Sequence, residues 1–148
     1  LSDTMTCVQR KFNPKKVGYI ATLTGASIVS LGKSTGAIFS SEGDKGDSMV
    51  EAFKNASKDA HEPMWPMPLN DEHRESINGK YGADISNMGA TRWGGACHAA
   101  AFLERFIEDE RPWVHLDIAG PAMFGKSENG DATGFGAKLL LSYIDKCI

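Results

Sequence analysis

Clustered basic residues, long apolar runs and paired cysteines are all missing from these 148 residues. Lys and Arg number 16 against 19 Asp and Glu, for a formal charge of −3, and the basic residues are scattered, so no electrostatic footprint for nucleic acid exists. The longest apolar stretches, Ala99 to Leu103 and Leu139 to Leu141, fall far short of the ~20 residues a membrane span needs, so no membrane partner is expected. Three cysteines, Cys7, Cys97 and Cys147, make an odd number without Cys-x-x-Cys spacing. That argues against a disulfide framework or a thiolate zinc site and favours a reducing, cytoplasmic setting. Repeats, low-complexity tracts and a second-domain linker are absent as well. No initiator methionine or leader precedes Leu1-Ser2-Asp3, so the chain is expected to be cut from something longer.

What is present is an alternation of strand-like and helix-like segments. Leu1, Met5, Val8 and Phe12 recur at helical intervals, and Asn13-Pro14 stops them. Val17 to Leu23 reads as a buried strand ended by Gly25, and Gly36 to Phe39 as a second strand. Met49, Ala52, Phe53, Ala56 and Ala60 predict a helix over about 47–60. Pro63, Pro66 and Pro68 force an extended connector, after which Asn70 can cap a short helix. Five glycines between 78 and 95 predict a long loop with at most a small strand at Ala83 to Ile85, and such loops often carry function. A helix through Ala96 to Ile107, a strand from Trp113 to Ala119 and a closing helix around Leu139 to Ile144 complete the series. The pattern predicts an α/β sandwich with a mostly parallel sheet, whose ligands gather at the carboxyl ends of strands.

Gly32-Lys33-Ser34 ends like a phosphate-binding loop, but the first glycine that motif requires falls on Ser27, and Gly25 lies two residues too early. The segment between, Ala26 to Leu31, is apolar enough for helix or strand, so a nucleotide site is a minor reading even with Asp117 ending an apolar strand. His115 and Asp117 at i, i+2 share a strand face and could join His73 or His61 around a metal, although a structural pairing explains them more simply. Cys97 and His98 are adjacent on a helix and so face different ways, which favours core packing of Cys97 over a nucleophile and base. The charged run Asp71 to Glu75 reads as a solvated helix face.

Five stretches in order carry a resemblance. They are Ala21-Thr22-Leu23-Thr24-Gly25-Ala26 with Gly32-Lys33-Ser34-Thr35; Trp65-Pro66-Met67-Pro68-Leu69; Ala83-Asp84-Ile85-Ser86-Asn87-Met88-Gly89 with Gly94-Gly95-Ala96; Trp113 to Ala122, which contains His115-Leu116-Asp117-Ile118-Ala119-Gly120-Pro121-Ala122; and Ala132-Thr133-Gly134-Phe135-Gly136. Together they resemble the leucyl aminopeptidases, the two-metal cytosolic exopeptidases, over nearly the whole chain. His98 departs from an expected Thr or Ser, and Thr91-Arg92-Trp93 from a Gly-Arg-Tyr-like run.

The resemblance implies a partial three-layer α/β/α sandwich of the zinc-peptidase type, with residues 1–148 forming the C-terminal portion of a catalytic domain. Leu1-Ser2-Asp3 is similar to a tripeptide that follows all of the family's metal-binding and catalytic residues. The N-terminal domain and metal-ligand segment are therefore expected to be absent, no catalytic or metal residue is expected in this chain, and the piece alone is expected to be inactive. The full-length enzyme is implied to use two divalent ions, zinc or manganese, to act on peptide substrates and to assemble as a homohexamer. Substrate contacts carried over by motif position fall on Thr22, Leu23, Gly25, Ala119 and Ala122, with Met123 as a neighbour. The Leu23 carbonyl and Gly25 N–H would bond the peptide, and small residues would leave room for an apolar side chain. Gly and Ala at these places are equally explained by tight packing. An alternative of another class is a noncatalytic structural or interaction subunit derived from the same fold. Uncovered apolar faces predict tight association with a complementary chain or with copies of itself.

Overall fold

The computed structural model describes residues 1–125 and 130–147. Six helices and four strands follow one another as α1 (Ser2–Phe12), β1 (Val17–Ala21), α2 (Gly25–Leu31), β2 (Gly36–Phe39), α3 (Asp44–Ala60), β3 (Met64–Pro66), α4 (Asp71–Ser76), α5 (Gly95–Glu104), β4 (Trp113–Asp117) and α6 (Ala137–Cys147) among the described residues.

The strands form one sheet in the order β1-β4-β2-β3. β1 pairs parallel to β4 and β2 parallel to β3, while β2 meets β4 antiparallel, so two of the three pairings are parallel. Alternation along each strand sends side chains to two buried faces. Val17, Tyr19, Ala37, Phe39 and Trp113 pack with Met5 of α1 and with Ala96, Cys97, Ala100, Ala101 and Leu103 of α5. Ile38, Met64, Val114 and Leu116 pack with Met49, Phe53 and Ala56 of α3 and Leu139 of α6 on the other side. The architecture is thus a mixed α/β sandwich of three layers, with every residue of β2 and β4 buried.

Several boundaries differ from the periodicity, each for a local reason. β1 stops at Ala21 and Gly25 opens α2 instead of ending the strand, because the Thr24 side chain accepts the Ser27 N–H at 3.1 Å and caps the helix. α3 starts three residues before the predicted position. Its first turn contains Gly46, where a Cβ would sit 1.9 Å from the Ser41 carbonyl oxygen, so a residue that reads as a breaker is there for close packing. The small strand expected at 83–85 reduces to a bridge between Asn78 and Ile85. Asn70 does cap α4, accepting the His73 N–H at 3.2 Å.

Buried polar side chains tie the layers. Glu62 takes the Gly136 and Leu139 N–H groups at 3.0 and 2.8 Å, so its carboxylate serves the exposed donors at the start of α6. Gln9 donates to the Met5 and Phe106 carbonyls and accepts from the Glu108 N–H, fixing α1 to the segment after α5. Among the described residues no helix is long and apolar enough to cross a membrane.

Candidate functional site

β1 and β4 run parallel and end level, Ala21 opposite Asp117, so the turns that follow both strands leave the same edge of the sheet. Asp117 is 1% exposed and joins those turns. Its Oδ1 accepts the N–H groups of Leu23 and Ala119, both at 3.1 Å, and its Oδ2 accepts the Thr24 hydroxyl at 2.8 Å. Three donors converging on one buried carboxylate are charge-assisted bonds, stronger than neutral ones.

With the Leu23 N–H committed to Asp117, no backbone bond within the described residues ends on the Leu23 carbonyl or begins at the Gly25 N–H. Gly25 is the first residue of α2, where N–H groups lack intrahelical partners. A Cβ placed on it would meet no atom within 4 Å, so the space in front of this backbone is open.

A cavity of about 530 Å³ lies against the same turn, lined among others by Leu23, Gly25, Met88, Arg92, His98 and Phe102. It is largely apolar, and Arg92 holds its guanidinium 4.1 Å from the centre of the Trp93 ring. His98 is a largely buried part of the wall, and its Nδ1 has no hydrogen-bond partner among the described residues. Gly89 is fixed by that imidazole, since a Cβ there would fall 2.0 Å from Nδ1. His73 meets His98 edge-on at 5.8 Å, and partial burial, followed by the neighbouring His98, holds its pKa below the usual histidine value.

Thr22, Leu23 and Gly25 are therefore gathered in one exposed turn, with Ala119 held beside them by the shared Asp117 oxygen. Ala122 follows in the second turn, its N–H donating to the Ile118 carbonyl at 3.0 Å. Only Leu23 and Gly25 of the five line the cavity; Thr22, Ala119 and Ala122 lie outside its wall. Sequence reasoning missed Met88, Arg92, His98 and Phe102 as lining residues and Asp117 as the link. Of these, only Met88 and Arg92 lie in the glycine-rich loop over 78–95; His98 and Phe102 stand on α5 and Asp117 ends β4.

Other candidates resolve differently. His115 is fully buried, stacked on Tyr19 at 4.8 Å and Phe39 at 5.8 Å, and both its ring nitrogens lack partners. The structural pairing expected of His115 with Asp117 is not a hydrogen bond, because Asp117 turns its oxygens to the two loops. Burial pulls the His115 pKa down to about 4 against the opposing pull of Asp117. Cys97 sits in the core, and burial pushes its thiol pKa up, away from nucleophile behaviour. Among the described residues no three His, Cys, Asp or Glu side chains come together as a metal site, so the residues here do not fit a metal on their own. The segment Ala26 to Leu31 is helical where a phosphate-binding loop would have to be, and Lys33 donates to the Gly125 carbonyl at 3.0 Å.

An open carbonyl and N–H pair lies beside an apolar cavity at the carboxyl ends of the parallel strands β1 and β4, the edge where α/β folds gather ligands. Residues 1–141 match the catalytic domain of the cytosol aminopeptidase family, and the chain belongs to that family. It is 42% identical over 143 residues to a probable cytosol aminopeptidase of Chloroherpeton thalassium, covering 95% of this chain and 27% of that protein. A probable cytosol aminopeptidase of Rickettsia typhi is 41% identical over 151 residues, covering 97% and 29%. A mutant of tomato leucine aminopeptidase superposes with a TM-score of 0.86 at 31% identity, over 98% of this chain and 27% of that one. The chain thus spans little more than a quarter of the length of the relatives it matches.

Proposed function

We propose that this chain is the C-terminal portion of a metal-dependent, leucyl-type aminopeptidase catalytic domain, and that its part in releasing N-terminal amino acids is to hold the peptide. The observation that carries the reading is the unengaged Leu23 carbonyl and Gly25 N–H at the strand ends. Such a pair matches an extended peptide, accepting one N–H and donating to one carbonyl as a strand edge does. Thr22, Ala119 and Ala122 leave room near the turn for the first side chain, with small residues suiting an apolar one such as leucine.

In this reading two divalent ions, zinc or manganese, belong to the full-length protein and are held by residues outside this chain. The full-length protein acts in the cytoplasm on peptides and assembles as a hexamer. The test is hydrolysis of leucine amide with added manganese or zinc, by the full-length protein and by residues 1–148 alone. Metal-dependent release by the first and none by the second is expected. A full-length protein inactive with both ions would sink the reading and favour a noncatalytic subunit built on the same fold.

A further inference from the structure

We infer that Asp117 is a positioning residue for substrate, a clamp that sets the two turns of the peptide site to one another. The inference rests on the proposed peptide-binding role of the turn over 22–25 and adds the residue that shapes it. One carboxylate oxygen receives N–H groups from both turns, Leu23 and Ala119 at 3.1 Å, while the other receives the Thr24 hydroxyl at 2.8 Å. Thr24 in turn caps α2 through Ser27, so the chain of bonds runs from strand β4 through both loops into a helix.

The direction of these bonds matters as much as their number. The Leu23 N–H shares a planar trans peptide unit with the Thr22 carbonyl, so its bond to Asp117 points that carbonyl the other way and fixes the turn just before the Leu23 carbonyl. Asp117 can do this because it only accepts: each of its three bonds takes a hydrogen from the turns, and none competes for the Leu23 carbonyl. Asparagine at this place would turn an NH2 group toward at least one of the three donors. Gly120 in the second turn packs against the backbone after α2, since a Cβ there would stand 2.3 Å from the Gly32 carbonyl oxygen. Asp117 is 1% exposed and lies behind the turns, so it does not itself reach a peptide in the open space.

The test compares D117N, Thr24→Val and Thr24→Ser in the full-length protein. Thr24→Val removes the hydroxyl bond to Asp117, together with the cap on the Ser27 N–H, while leaving the carboxylate in place, and it serves if D117N does not fold. Thr24→Ser keeps the hydroxyl and should behave as the parent. Expected is a rise in KM of tenfold or more for D117N and of several-fold for Thr24→Val, with kcat changed less than threefold, because binding geometry and not chemistry is disturbed. A second readout is hydrogen exchange of the amides over 22–25 and 118–122, which should speed up together in both variants. Unchanged exchange in the two turns, or a fall in kcat with KM unchanged, overturns the clamp. Faster exchange in both turns of a protein with no peptidase activity supports the clamp while removing the peptide-binding reading.

Discussion

Two titratable residues on β4 show how burial alone does not decide a residue's chemistry. Asp117 and His115 are two positions apart and equally buried, but Asp117 has three donors and His115 has none. The imidazole is therefore held neutral between Tyr19 and Phe39, with a pKa pulled from 6.5 to about 4 first by burial. The folded-state value lies below the unfolded one, so the unfolded chain binds the extra proton between about pH 6.5 and about pH 4. Stability is complete above that window and falls as pH drops through it. Replacing His115 by Phe keeps the ring stack and removes the titration. Thermal melting from pH 7 to pH 4 should fall less steeply in H115F than in the parent; parallel curves would show that His115 is not the group responsible.

Among the elements, α6 depends on a residue far from it in sequence. Glu62 stands between α3 and β3, yet its buried carboxylate binds the Gly136 and Leu139 N–H groups at the start of α6. Glu62→Gln replaces a charged acceptor by a neutral one and should cost about 1–2 kcal/mol by urea unfolding; Glu62→Ala should cost more, since the donors remain buried. A loss confined to a few tenths would mean that α6 is held by packing alone. This cap was not legible in the sequence, because nothing in Glu62's local pattern points 74 residues ahead. What was legible is what repeats locally: the apolar periods of α1, α5 and α6, the prolines around β3, and the Asn70 cap. The early start of α3 at Asp44 was hidden by Gly46, and α2 by the glycine that opens it. The same division holds at the candidate site. Leu23 and Gly25 sit in one continuous motif, whereas Met88, Arg92 and Phe102 come to the cavity wall through loop and helix placement that no single motif contains.

For the whole molecule, the question is what covers its open surfaces. Val8 and Phe12 on α1 are 40% and 67% exposed beside the buried Met5 and Gln9, and Leu1, just before the helix, is 49% exposed. β1 and β3 are the outer strands of the sheet, and a strand at an edge offers unpaired backbone groups along its free side. Val29, Trp65 and Trp93 add exposed apolar area elsewhere. Exposed apolar groups of this size favour association over a dispersed monomer. We therefore expect residues 1–148 on their own to sediment as a dimer or larger species at micromolar concentration, and the double change Val8→Lys with Phe12→Lys to shift them toward monomer. Both positions are solvent-facing on α1, so the change should leave the melting temperature near that of the parent. A parent chain that stays monomeric to high concentration would mean that the α1 stripe and the strand edges are too broken by polar residues to drive self-association. In that case, the stripe's contribution would have to be sought in contacts with the remainder of the full-length protein, by measuring whether the same double change weakens assembly there.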